Sequence, residues 1–346
     1  MTGPHPAVAA TRNAVREVLD GLDLGTRVWV ACSGGPDSLA LAAATSFAGH
    51  KIGLHVGAII VDHGLQEGSA EVAKRAEAQA RKAGIATVFI EKVKVGRDGG
   101  LEAAARNARY AALEARAHAE GGLNPLILTG HTMDDQAETV LLALARGSGA
   151  RALAGIPARR GRVLRPFLSL RRSVTIAACE AQGLEPWFDP TNEGEGGPRR
   201  SALRSVVMPA LVDVLGPGVV SGLARSAALL QADADELDRQ ARSALPAGEA
   251  SDQNWRCDML AALPDAIRTR MLKMLAENQG AGPLTATHVG ALDALVTSYK
   301  GQGAVALPGG YEARREYGRL IIGRPLDTAR HTRKPPTNPP EPGSTA

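Results

Sequence analysis

Six consecutive residues, Ser33-Gly34-Gly35-Pro36-Asp37-Ser38, combine two hydroxyls, two glycines and a carboxylate. They follow the apolar run Val28-Trp29-Val30-Ala31-Cys32 and precede the helix-forming run Leu39-Ala40-Leu41-Ala42. That order predicts strand, glycine turn, helix. The glycines let backbone N–H groups crowd around an anion, Ser33 and Ser38 add hydroxyl donors, and a helix start offers amides with a partial positive charge. The predicted chemistry is phosphate binding. The spacing is not G-x-x-x-x-G-K-[ST], so this is not the loop that cradles a transferred γ-phosphate. A carboxylate beside phosphates is repulsive unless a divalent cation lies between them, so Asp37 predicts Mg²⁺ together with a nucleotide. An ordinary βα turn capped by Ser and Asp accounts for single members of this loop but not for the combination.

Two further clusters follow predicted strands. Val61-Asp62-His63-Gly64-Leu65 places Asp62 and His63 where they can face a nucleotide. His131-Thr132-Met133-Asp134-Asp135-Gln136-Ala137-Glu138-Thr139 joins a histidine to three carboxylates. With a helix beginning near Asp134, that residue shares a face with Glu138 at i, i+4, and Asp135 neighbours Glu138 at i, i+3. Capping by acids explains one or two of them, not the set. A helical stretch from Leu101 to Tyr110 aligns Glu102, Arg106, Arg109 and Tyr110 along one side.

The elements that must position these groups read as alternating strands and helices over the first two thirds of the chain. Strands are expected at Arg27–Cys32, His55–Asp62, Thr87–Glu91 and Pro125–Thr129. Helices are expected at Thr11–Leu19, Leu39–Ala48, Ser69–Ala83, Leu101–His118 and Asp134–Arg146. This pattern predicts an α/β fold with a doubly wound, mostly parallel sheet, whose ligands bind beyond the carboxyl ends of the strands. From about Leu211 the pattern becomes helical: Gly222–Leu245, Met259–Glu277 and Thr285–Tyr299. A glycine-turned hairpin over residues 303–323 carries Arg314, Arg315 and Arg319, with Arg324 just beyond it. The expected organisation is a nucleotide domain at 1–215, a helical and hairpin RNA-binding domain at 216–325, and a disordered tail at 326–346.

Composition bounds the partners. The 346-residue chain is 44% hydrophobic, as a soluble globular protein is, and has no apolar run long enough to span a bilayer. Its start lacks a basic-then-apolar leader pattern, which predicts a cytoplasmic protein. Cys32, Cys179 and Cys257 lie far apart and offer neither a disulfide framework nor a C-x-x-C pair. The net charge of +4 says little, but its distribution says more. Residues 151–172 hold seven arginines, Arg165 and Arg171 among them, and no acid; Arg199, Arg200 and Arg204 follow. A stripe of this kind suits a phosphodiester backbone.

The phosphate loop resembles that of the ATP pyrophosphatases, which split ATP between its α- and β-phosphates. Taken with Asp62-His63-Gly64-Leu65, Arg106, Arg109-Tyr110, His131 through Thr139, Arg146-Gly147, Arg165-Pro166 and Asp189-Pro190-Thr191-Asn192, the chain resembles the tRNA(Ile)-lysidine synthases over residues 27–205. A weaker echo lies in Leu307-Pro308-Gly309-Gly310. Gln66 and Ser201 depart from that family's pattern, which commonly has Arg and Asn there. Related tRNA thiolases share parts of the motifs but carry paired cysteines that this chain lacks.

The resemblance implies a two-step reaction. The wobble cytidine of the CAU-anticodon isoleucine tRNA is adenylated, and free L-lysine then displaces AMP to leave lysidine. It implies ATP and Mg²⁺ as requirements. ATP binds through Ser33, Gly34, Gly35, Pro36, Asp37, Ser38, Asp62, His63 and Arg109. The resemblance further implies that Asp37, His131, Asp135 and Glu138 are catalytic and that Asp135 and Glu138 also receive the lysine ammonium. Arg165, Arg171, Arg200, Arg204, Arg314 and Arg315 face the tRNA. The chain is compatible with a homodimer. Two other readings keep the nucleotide loop: a small-molecule ligase of the wider superfamily, and a non-catalytic nucleotide-sensing RNA-binding protein. The first lacks a visible amino-terminal glutaminase nucleophile, and the second leaves the acids at 134, 135 and 138 without a purpose.

Overall fold

A computed structural model describes residues 3–64, 68–96, 100–121, 124–147, 149–188, 199–244 and 254–325, without the side chains of residues 101, 102 and 199. Gln66, Asp189 to Asn192, the Glu102 side chain and the expected tail at 326–346 lie outside the described residues.

In chain order the first elements are α1 (Pro6–Leu19), β1 (Arg27–Ala31), α2 (Pro36–Lys51), β2 (His55–Asp62), α3 (Ser69–Lys82), β3 (Thr87–Lys92), α4 (Leu101–Ala119), β4 (Leu126–Leu128) and α5 (Met133–Leu144). Short pieces follow: α6 (Ala150–Leu153), β5 (Arg159–Arg160), β6 (Val163–Leu164), a 3₁₀ turn (Pro166–Ser169) and α7 (Arg172–Glu180). Next come α8 (Arg199–Ala202), a π-helical segment (Leu203–Val207), α9 (Met208–Leu215) and α10 (Val219–Ser243). The chain closes with β7 (Asn254–Arg256), α11 (Cys257–Ala261), α12 (Asp265–Asn278), α13 (Ala286–Thr297), β8 (Val305–Leu307), β9 (Tyr311–Glu316) and β10 (Arg319–Gly323).

The first sheet has the order β3-β2-β1-β4-β6-β5, parallel throughout except for the β5–β6 pair. Parallel strands are covered on both faces and therefore read as continuous apolar runs. In β1, Val28 and Val30 join a core shared with α1, α2, α3 and α7, while Trp29 joins Ile59, Leu113 and Ile127 on the other face, beneath α4. Gly57 is required there, because a Cβ on it would come within 2.2 Å of the Trp29 ring. Helix α2 is buried from Ser38 to Ser46 on nearly all sides, which its Leu/Ala composition allows.

The second sheet is antiparallel, in the order β7-β10-β9-β8. Its inner face supplies Trp255, Leu307, Ala313, Leu320 and Ile322 to a core with Leu272, Leu275, Leu292 and Leu295 of α12 and α13. The expected hairpin is thus part of a four-stranded sheet. β7 escaped the periodicity reading because three residues are too short to alternate visibly. The single helix expected at Met259–Glu277 is two, with Pro264 as the residue before α12. Helix α1 begins at Pro6 rather than Thr11, with proline in the first turn, where its missing N–H costs nothing. The chain divides into two compact units, Met1–Ala232 and Asp233–Ala346, a division that falls inside α10. The sequence expectation placed the boundary at 215/216, the glycine turn before that helix.

Candidate active site

The carboxyl ends of β1, β2 and β4 lead into the Ser33 loop, the Asp62-His63 turn and the Gly130-His131 turn respectively. Parallel pairing of these strands brings the three turns to one edge of the sheet. The first and third touch. A Cβ on Gly130 would lie 2.8 Å from the Asp37 carbonyl oxygen, so only glycine lets the β4–α5 loop pass the start of α2.

Ser38 organises the phosphate loop. Its hydroxyl accepts the Ser33 N–H (3.1 Å), donates to the Gly35 carbonyl (3.0 Å) and lies 3.3 Å from the Ser33 hydroxyl. Gly34 holds φ +83 and Gly35 precedes Pro36, the first residue of α2. The N–H groups of Asp37 and Ser38 fall in the first helical turn, which has no intrahelical acceptors. The Trp187 N–H donates to the Gly34 carbonyl (2.9 Å), so the loop is braced from outside.

The acids meet at one guanidinium. Arg172, at the start of α7, reaches Asp37 Oδ2 at 3.1 Å, Asp135 Oδ1 at 2.9 Å and Glu138 Oε1 at 3.4 Å. Its backbone N–H donates to Asp134 Oδ2 (2.8 Å), and Arg171 Nε donates to the same carboxylate (3.2 Å). Thr175, one turn further on α7, donates to Asp37 Oδ1. Asp135 also accepts the Thr132 N–H (2.7 Å) and hydroxyl (2.8 Å), which fixes it to the start of α5. Glu138, whose side chain is 2% exposed, lies 2.9 Å from Arg204 Nε and 3.3 Å from Arg200 Nε. The i, i+4 spacing of Arg200 and Arg204, across α8 and the π-helical segment, turns both toward that one carboxylate.

The electrostatics follow from this packing. Burial pushes the Asp37 carboxyl above its usual range, against the pull of Arg172 and Thr175. Burial would raise Asp135 too, but Arg172, the Thr132 N–H and His131 outweigh it and hold the group below its usual range. Arg172 is held protonated, the three carboxylates outweighing its burial. His131 is pushed down to about 4 by burial, so it is a neutral imidazole at pH 7; its Nδ1 lies 2.9 Å from the Thr129 hydroxyl. Asp62 accepts the Gly64 N–H (3.0 Å), and His63 is lowered by burial and by Arg109. Arg109 itself is exposed on α4.

The arginines expected to face RNA are placed unevenly. Arg171, Arg200 and Arg204 belong to the acid cluster. Arg165 is 4% exposed and donates to the Pro157 carbonyl (2.7 Å), an interior position. Arg159 and Arg160 of β5 are exposed. In the second unit Arg314 sits between Glu312 (3.4 Å) and Glu316 (2.6 Å), and Arg315 donates to the last carbonyls of α13, Leu295 and Val296 (3.0 Å each). Cys32, Cys179 and Cys257 are buried free thiols; burial pushes Cys179 up to about 12.

Sequence reasoning missed three parts of the site. Arg172 and Thr175 were hidden in α7, whose Ser-Val-Thr-Ile run is a weak helix former, and only the doubled arginine marks its start. Gln136, to which the sequence assigned no role, is structural: it donates to the Ile156 carbonyl and accepts the Ile156 N–H, both at 2.7 Å. A cavity of about 240 Å³ beside the acids was also unforeseen. Asp134, Glu138, Arg172 and Arg204 form its charged end, and Met208, Val212 and Val220 of α9 and α10 its apolar wall.

The comparisons with known proteins agree with this layout. Residues 9–211 match the PP-loop domain, and residues 256–321 match the TilS substrate binding domain. A tRNA(Ile)-lysidine synthase of Thermobifida fusca is 51% identical over 324 residues, which cover 93% of this chain and 99% of that one. The enzyme of the same name from Salinispora tropica is 52% identical, over 92% and 97% of the two chains. Among solved structures, the U34-tRNA thiolase NcsA from Methanococcus maripaludis, with its [4Fe-4S] cluster, superposes with a TM-score of 0.54 at 19% identity. That match covers 65% of this chain and 80% of the thiolase, and it speaks to the fold alone. Phosphate loop, acid cluster and both matched domains together place the chain in the tRNA(Ile)-lysidine synthase family.

Proposed function

We propose that this chain ligates free lysine to the wobble cytidine of the CAU-anticodon isoleucine tRNA in the cytoplasm, through an adenylated cytidine, with AMP and pyrophosphate as products. The observation that carries the reading is the meeting of the phosphate loop, through Asp37, with the acids Asp135 and Glu138 at one point. A ligase of this type needs both halves within reach of one phosphorus.

In the first step the cytidine carbonyl oxygen attacks the α-phosphorus and the α–β bridging bond breaks. The loop amides and the Ser33 and Ser38 hydroxyls hold the departing pyrophosphate. Neutral His131 serves as a hydrogen-bonding group at the α-phosphate rather than as a cation. In the second step the lysine ε-nitrogen attacks the activated carbon and AMP leaves with the C–O bond electrons. Asp135, kept ionised, binds the incoming ammonium, and Glu138 takes the proton that the amine must lose. The apolar wall of Met208, Val212 and Val220 suits the methylene stem of lysine, and the charged end suits its polar groups.

The donor set bears on Mg²⁺. Among the described residues no three acids, histidines or cysteines form a cage. Mg²⁺ bound with a nucleotide takes its ligands mostly from phosphates and water and needs only one or two carboxylates, which Asp37 satisfies at the start of α2. When bound, the ion would neutralise charge on the leaving pyrophosphate. Asp37 would have to exchange Arg172 for it.

Product analysis tests the cleavage site. Incubation with ATP, lysine and tRNA is expected to yield AMP and pyrophosphate in amounts equal to the lysine incorporated. Release of ADP and orthophosphate would overturn the reading.

A further inference from the structure

The turn between β9 and β10 consists of Tyr317 and Gly318, with φ of +48 and +76. Both central residues are left-handed, the conformation for which Asn-Gly and Asp-Gly are the favoured pairs. A tyrosine there is strained, since a bulky side chain opposes φ above zero. Burial does not offset the strain: Tyr317 is 101% exposed. A fully exposed aromatic ring, on a turn that prefers a small polar residue, is placed for contact with something outside the chain.

Its surroundings specify the chemistry. The sheet's inner face is sealed by α11 to α13, while Arg256, Arg314 and Arg319 alternate onto the outer face, where side chains are exposed or half-buried. Arg319 directly follows the turn, opposite Glu316 in the strand register, and its Nε donates to Asn254 Oδ1 (2.8 Å), a neutral acceptor. Arg314 is neutralised by Glu312 and Glu316, and Arg256 is paired with Asp258. One exposed ring and one exposed guanidinium, two residues apart at the hairpin end, match the two halves of a nucleotide: a base face and a phosphate.

We infer that Tyr317 stacks on an unpaired base of the tRNA, with Arg319 on the adjoining phosphate. The inference rests on the proposed function for the identity of the nucleic acid and adds a substrate-positioning residue on the second unit. Such a residue holds the tRNA and does not touch the reacting atoms.

The test compares Tyr317→Asn, which suits the turn better, with Tyr317→Phe, which keeps the ring. The measurements are tRNA affinity and steady-state lysine incorporation by the full chain. Tyr317→Asn is expected to raise the tRNA Kd and KM about tenfold, as loss of one stacked base does. The KM values for ATP and lysine and the saturated rate should stay within twofold, and the melting temperature should hold or rise. Tyr317→Phe should match wild type. If wild type binds tRNA and incorporates lysine and Tyr317→Asn does both equally well, the stacking assignment alone is overturned. If Tyr317→Asn loses affinity for a protein partner but not for tRNA, it is likewise overturned. If wild type neither binds tRNA nor incorporates lysine, the functional reading fails and this one with it.

Discussion

Arg172 is the residue on which the site turns, because one guanidinium satisfies three carboxylates from two different helices, α2 and α5. Removing one partner of a mostly buried ion pair leaves charge without compensation, a larger loss than the pair's own net worth. Arg172→Met should therefore cost about 3 kcal/mol of stability in denaturant unfolding; a loss below 1 kcal/mol would mean that Arg200 and Arg204 suffice. His131 carries a second expectation. Its folded pKa of about 4 lies below its ordinary value, so the unfolded chain takes up the proton first as pH falls. Stability contributed by the neutral ring is complete above pH 6.5 and drains away toward pH 4, by at most about 1.4 kcal/mol per pH unit. His131→Gln should flatten the pH dependence of the melting temperature between pH 6.5 and 4, and an unchanged slope would contradict the assignment.

At the scale of elements, the contact between the start of α2 and the β4–α5 loop sets the distance between phosphate loop and acids. Gly130→Ala would drive a methyl against the Asp37 carbonyl, and neither backbone can yield as a side-chain tip would. The expected cost is about 1–3 kcal/mol in unfolding free energy and a larger proportional loss of lysine incorporation; normal activity would show that the spacing is not critical. The same elements show what sequence reveals. The strands β1 to β4 were legible as apolar runs, and the phosphate loop as an unusual combination of residue types between a strand and a helix. The histidine and acids of α5 were legible because they follow a strand. Arg172 was not, since its role is set by tertiary packing of α7 against α2, across 135 residues from Asp37. Arginine-rich segments were legible as charge but not as orientation: Arg165 turned inward to a carbonyl, Arg315 capped a helix, and Arg200 and Arg204 went to Glu138. Composition alone cannot separate an arginine that pairs within the chain from one left for a partner.

At the scale of the molecule, a PP-loop unit and a substrate-binding unit are carried on one chain. That division suits a reaction whose chemistry occurs at one base while identity is read elsewhere on the RNA, because the methionine elongator tRNA carries the same CAU letters. On the proposed function, substitutions on the second unit, Tyr317 among them, are expected to change tRNA affinity, and substitutions at Asp37, His131, Asp135 and Glu138 to change turnover. The most direct measurement is transfer of radiolabelled lysine to RNA by the purified chain with ATP, using transcripts of the CAU-anticodon isoleucine tRNA and of the elongator methionine tRNA. Label is predicted in the first transcript alone, dependent on ATP and lost in Asp37→Asn. Absence of label from that transcript, or its equal appearance in both, would contradict the account.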